Sequence, residues 1–213
     1  SNLLLRIPAT RLMLPVIEQL LHEGMNVNAT LVFSLNVYNQ VFDRYLRGVE
    51  SQIQPGESVS HAVCFVSFAI GQLDAAINPL NAHLKTSFGM MQAKLLFEHY
   101  QREHRRSLPG GIQPLRLVWD CTDILPESAW RYIQTLVARE TVMLLSPSTL
   151  EMYRKVSLVH TRVIDNESNE QILTSETEIV SDEQIEQLVN EEIVRSLNAF
   201  QQLLDTIKHK RRY

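Results

Sequence analysis

The sequence predicts an α/β fold: five short apolar runs, each followed by a longer segment of helical period, within 213 residues. Two observations carry that reading. The runs have strand length and are apolar on both faces, as parallel strands covered by helices are. Between them, apolar residues recur at three- and four-residue spacing, the period of a helix with one buried face. The breaks at Gln54-Pro55-Gly56-Glu57 and Pro109-Gly110-Gly111 punctuate the series.

The first run, Leu3–Ile7, leads to a helix carrying Met13, Ile17, Leu20 and Leu21, with Thr10 as candidate N-cap and Gly24 as terminal glycine. Pro15 lies early enough to delay or kink that helix rather than forbid it. The second run, Ala29–Phe33, ends at Ser34, a good cap for a helix with Val37, Val41, Phe42, Tyr45, Leu46 and Val49 on one face. The third, Ala62–Ile70, precedes a helix from about Met90 to His104. The fourth, Leu115–Trp119, precedes a helix near Ser128–Val137, and the fifth, Val142–Leu145, one at Ser148–Val156. After a polar stretch, 157–180, Ser181 and Gln184 form a capping box. The helix they open runs to about Ile207, with a stripe of Ile185, Leu188, Val189, Phe200, Leu203, Leu204 and Ile207 expected to dock on its own domain.

Composition narrows the function classes. Hydrophobic residues make up 45% and charged residues 21%, enough for a substantial core. A net charge of -4 supplies no basic field for nucleic acid or anionic lipid. The basic Lys208–Arg212 stretch suits the C-terminal end of a helix. Cys64 and Cys121 sit in apolar runs and are expected to be reduced and buried. No signal-like leader or membrane-length apolar run is visible, so a cytoplasmic protein is expected. No cofactor or metal is expected: His99 and His104, five apart, do not share a helix face and are read as solvated.

The strand-end motifs resemble those of the transaldolase family. Asn2–Thr10 (NLLLRIPAT) is similar to that family's fourth-strand segment, which ends K-I-P-A-T, and Gly24–Ser34 (GMNVNATLVFS) to its fifth-strand G-I-N-x-N-x-T-L-L-F-S. Ser67–Asp74 (SFAIGQLD), Leu117–Thr122 (LVWDCT) and Thr141–Tyr153 (TVMLLSPSTLEMY) resemble its sixth, seventh and eighth strands in order. Glu192–Leu204 resembles its closing helix. The resemblance implies a partial TIM (β/α)8-type barrel: five parallel βα units over 1–156, then an irregular connection and a docking helix over 157–213. It also implies carbohydrate metabolism of the pentose phosphate type, in which a dihydroxyacetone unit moves between sugar phosphates.

The same resemblance marks what is changed. Arg6 stands where the family keeps its Schiff-base lysine. An amine must lose its proton to attack a carbonyl; a guanidinium, with a pKa above ~12, does not. Gln72 stands where an arginine clamps the substrate phosphate, and Cys121 with Thr122 where the seventh strand carries serine and threonine, flanked by Asp120 and Asp123. The family's acid and base belong to its first and third strands, which have no counterpart here. Asn28, Thr30 and Ser67 match polar positions that contact the dihydroxyacetone moiety; strand-end turn chemistry is the competing reading.

The chain opens directly on an apolar strand, which suggests a fragment or a chain that has lost preceding elements. Five strands leave open edges, so a homo-oligomer or a protein partner covering them is expected. Three functions follow: a sugar-phosphate-binding or assembly scaffold without transaldolase activity, an active enzyme completed by upstream residues or another chain, and a purely structural module.

Overall fold

The computed structural model describes residues 2–51, 62–77, 87–104, 108, 112–155 and 180–210. The chain divides into two units, Ser1–Thr177 and Glu178–Tyr213. In the first, strands β1 (Leu4–Pro8), β2 (Asn26–Val32), β3 (Cys64–Ala69), β4 (Arg116–Asp120) and β5 (Thr141–Leu144) form one parallel sheet. Strand order equals chain order, and β1 and β5 are its edges among the described residues. The sheet is therefore an α/β array of consecutive βα units that does not close into a barrel.

The helices of this unit are α1 (Leu14–His22), α2 (Leu35–Glu50), α3 (Ile70–Ile77), α4 (Phe88–His104), α5 (Pro126–Leu136) and α6 (Pro147–Lys155). Local chemistry sets several of their ends. Ser34 Oγ accepts the Val37 N–H at 3.2 Å and caps α2. Gly24 takes φ 76°, and the Gly24 and Met25 amides donate to the Leu21 and Leu20 carbonyls, a Schellman ending for α1. Thr10 acts one turn earlier than expected: its hydroxyl accepts the Met13 N–H at 3.2 Å, in the turn before α1.

Packing follows from face. Val27, Ala29, Val66, Phe68, Leu117 and Trp119 are fully buried. Trp119 meets Phe97 of α4, and Phe68 meets Trp119 edge-on at 6.3 Å, so this is the helix-covered face. Burial of such large side chains contributes about 1.5–3 kcal/mol each. The expectation of strands apolar on both faces is corrected here. The second face carries Arg6, Asn28, Ser67, Arg116 and Asp120, and Arg116 lies over the Phe65 ring at 5.9 Å. Between α1 and α2 the backbone approach is close, since a Cβ on Gly48 would stand 2.7 Å from the Glu18 carbonyl oxygen. Two tyrosines tie helices to the segments before strands: Tyr45 donates to the Gln113 carbonyl, and Tyr100 to that of Glu140 at 3.0 Å.

Two expectations change. Ile70 does not extend the third strand; it opens α3, a helix the apolar run conceals. His99 is not solvated but half-buried, with its ring edge-on to Tyr38 at 5.9 Å. The expected loop at 166–169 lies outside the described residues.

In the second unit, helix α7 spans Asp182–Lys210. Its capping box forms in both directions: Ser181 N–H to Gln184 Oε1 at 2.9 Å, and Gln184 N–H to Ser181 Oγ at 3.3 Å. Along it Ile185 and Leu188 are buried, and Leu197, Phe200, Leu203 and Ile207 are exposed.

Candidate functional site

In a parallel array of βα units, the C-terminal strand ends gather side chains from several strands into one place. There the sequence-singled residues fall into three groups. Arg6 Nη2 on β1 lies 3.6 Å from Asp120 Oδ2 on β4, with side chains 60% and 14% exposed. Asp120 Oδ1 accepts the Thr122 hydroxyl at 2.6 Å and the Thr122 N–H at 3.1 Å, so Thr122 is committed to a local turn.

The second group is a buried pair. Ser67 Oγ on β3 donates to Asn28 Oδ1 on β2 at 2.9 Å. Thr30 is close by in sequence and buried, and its carbonyl accepts the Ala9 N–H at 2.8 Å. Just beyond it the ladder is irregular between Ala29 and Val32, and Leu31 takes φ 57°. A branched aliphatic residue in the left-handed region costs about 1–3 kcal/mol, strain that such sites commonly store.

The third group lies on α3. Gln72 Nε2 donates to Asp123 Oδ2 at 2.9 Å, while Gln72 Oε1 is buried without a hydrogen-bond partner. Gln72 and Thr122 thus hold carboxylates rather than an open anion cradle.

These groups set what the strand ends can do. Arg6 is a fixed cation facing a carboxylate, suited to electrostatic binding and not to nucleophilic attack. Cys121 is buried, and burial, reinforced by Asp120 and Asp74, pushes its thiol up to about 12. It stays protonated at neutral pH and supplies no thiolate. No lysine lies on the five strands: Lys94, Lys155, Lys208 and Lys210 are on α4, α6 and α7, and Lys85 lies outside the described residues. Among the described residues, no three His, Cys, Asp or Glu side chains cluster as metal ligands would.

One buried acid carries no signal in the sequence. Asp74 on α3 accepts hydrogen bonds from the Ser87 hydroxyl, from the Gly89 N–H at 2.7 Å and from the Tyr132 hydroxyl at 2.6 Å. It joins α3, the start of α4 and α5. Burial, then the bond to Asp74, raises the Tyr132 pKa, so the phenol stays a donor. Its partners are distant in sequence, and no local pattern announces them.

A family model described as transaldolase/fructose-6-phosphate aldolase matches residues 1–207. The chain belongs to that family. It is 28% identical to a transaldolase of Parafrankia sp. (strain EAN1pec) over 98% of this chain and 62% of that protein. It is 27% identical to transaldolase 2 of Nostoc punctiforme over 99% of this chain and 63% of the relative. Against a transaldolase of Mycobacterium leprae the identity is 31%, over 70% of this chain and 44% of the other. The chain therefore spans less than two thirds of the length of these transaldolases. Membership places it in the lineage of carbohydrate-metabolising enzymes, and no helix among the described residues is long and apolar enough to cross a membrane.

Proposed function

We propose that this transaldolase-family chain does not perform Schiff-base chemistry and serves as a binding or assembly scaffold. What supports this most is Arg6, which by the resemblance stands at the lysine's position and which faces Asp120 at 3.6 Å. The aldolase reaction of this type needs an amine that can be deprotonated and a separate acid and base. Arg6 offers no such amine. Asp120 is already engaged, its Oδ1 accepting twice from Thr122 and its Oδ2 facing Arg6.

The phosphate end of a sugar phosphate meets a similar obstacle. Gln72 is neutral and bonded to Asp123, and Asp120 faces Arg6. By the resemblance, a neutral amide stands where the family has a bidentate charged clamp, an exchange that weakens anion binding by a few kcal/mol. Asn28 and Ser67, the carbohydrate-contacting positions by the resemblance, are bonded to each other in a buried pair.

Borohydride treatment in the presence of fructose 6-phosphate, read by intact mass, tests the proposal. The expected result is an unchanged mass. A stable adduct on this chain refutes the loss of Schiff-base chemistry. It would support the second reading: an active enzyme transferring a dihydroxyacetone unit when completed by further residues or another chain.

A further inference from the structure

The fold leaves the bonding capacity of the Arg6–Asp120 pair unspent. Arg6 makes no hydrogen bond among the described residues; its polar contact is Nη2 to Asp120 Oδ2 at 3.6 Å, beyond hydrogen-bond length. Its side chain is 60% exposed, so most of its N–H fork is open to solvent. Asp120 is held differently. Its Oδ1 accepts the Thr122 N–H at 3.1 Å and the Thr122 hydroxyl at 2.6 Å, which fix the carboxylate without help from Arg6. Its Oδ2 accepts no hydrogen bond among the described residues. A fixed acceptor and an open donor fork thus stand side by side, on strands separated by β2 and β3.

Each charge of the pair works against one kind of ligand. An anion placed on Arg6 lies close to Asp120 and is repelled by it; a cation placed on Asp120 meets Arg6. Either one also takes a partner from the existing pair and leaves a lone charge behind. A ligand carrying both charges avoids both penalties. Its oxyanion lies on the Arg6 fork and its cation on Asp120 Oδ2, so that the four charges alternate in sign. Spacing then selects among such ligands. With Arg6 and Asp120 3.6 Å apart, the two ligand charges must be near neighbours, as they are when ammonium and carboxylate sit on one carbon. A planar carboxylate also matches the guanidinium fork, which can hold it through two parallel N–H···O bonds.

We propose that the C-terminal strand ends bind the head group of a free α-amino acid, with its carboxylate on Arg6 and its ammonium on Asp120 Oδ2. The proposal rests on the reading of these strand ends as a binding site without Schiff-base chemistry. It gives Arg6 a task for which a lysine, a point charge without a fork, is less suited. Thr122 is a positioning residue in it: its two bonds to Oδ1 keep Oδ2 turned to the ammonium.

Backbone amide shifts of the isotope-labelled full chain, followed through titration with L-alanine, test it. Propionate and ethylamine, each holding one of alanine's two charges, are the matched controls. Saturable shifts at Ile7, Cys121 and Thr122 are expected with alanine, at an affinity at least about tenfold, or 1.4 kcal/mol, above either control. Added salt should weaken the binding, since Arg6 is exposed and its field is screened. Arg6→Ala should weaken alanine binding by about tenfold or more. Asp120→Asn should remove alanine's advantage over propionate, with amide shifts elsewhere reporting an intact fold. Shifts that never saturate with alanine overturn the proposal. So does propionate binding the unaltered chain as tightly as alanine, which makes Arg6 a plain anion site. Unchanged alanine binding by the Arg6→Ala form places the amino acid elsewhere and overturns it as well. The borohydride experiment reads bond formation at an amine and this one reads head-group binding at Arg6, so each can fail without the other.

Discussion

The Arg6 guanidinium on β1 reaches the Asp120 carboxylate on β4, passing over two intervening strands to a separation of 3.6 Å. The pair neutralises the strand ends from within. Because Arg6 is well exposed, the contact is worth about 0–1 kcal/mol, and Arg6→Ala should leave the urea midpoint nearly unchanged. Asp120→Asn removes the competing charge and frees Arg6 for an external anion. Thermal denaturation in inorganic phosphate should then show stabilisation that the unaltered chain lacks. Equal response of the two forms would mean that Asp120 does not mask Arg6.

The Asn28–Ser67 hydrogen bond is buried, and its loss is expected to matter more. Ser67→Ala strands the Asn28 side-chain oxygen away from water, a penalty of about 1–3 kcal/mol. Urea denaturation reads it as a lowered midpoint at constant slope. A change within error would place water or another donor on Asn28.

Asp74 is buried, and three donors depend on it. Asp74→Ala leaves the Gly89 N–H, the Ser87 hydroxyl and the Tyr132 hydroxyl without their acceptor. The expected loss is about 3 kcal/mol or more, since several donors lose a charged partner together. Tyr132→Phe removes one donor and should cost less, because the carboxylate keeps two others. If both variants cost the same, Tyr132 carries the junction by itself.

Alkaline pH should destabilise the fold through its thiols. Burial raises both Cys64 and Cys121 from 9.0 to about 12. The native state therefore holds its thiol protons while the unfolded chain releases them. Stability from this source is full below about pH 9 and is lost as pH rises towards about 12. The buried tyrosines Tyr38 and Tyr45 are shifted in the same direction and add to the slope. Urea midpoints measured across this window should fall, and fall less steeply in a Cys64→Ala, Cys121→Ala form. An equal slope in both forms would assign the loss to the tyrosines.

Features legible in the sequence were those decided by near neighbours. Ser34, Gly24 and the Ser181–Gln184 box act over two to four residues, so a string of residue types suffices to read them. Five alternating units and their order were legible for the same reason, each strand and helix announcing its own period. Helix α3 was hidden because Ile70–Ile77 continues the apolar run of β3 without a polar break. At the candidate site, Arg6, Asn28, Ser67, Gln72 and Thr122 could be singled out, but not their partners. The Tyr132–Asp74 bond joins residues 58 apart, and Gln72–Asp123 residues 51 apart. Such pairings are made by the sheet and exist only once it has formed.

The irregularity in β2 has a further consequence. From Ala29 to Val32 this strand advances three residues while β3 advances two, from Val66 to Phe68. Counted by twos from Asn28, Val32 would share the polar face; the extra residue sends it beneath the helices with Phe68. Leu31 therefore acts as a frame correction, separating a stretch that presents Asn28 from one that feeds the core. Losing one residue here and losing one from a surface turn are the same change in length. In the turn it shortens a loop; at Leu31 it removes the extra residue and leaves a regular ladder, with Val32 still opposite Phe68.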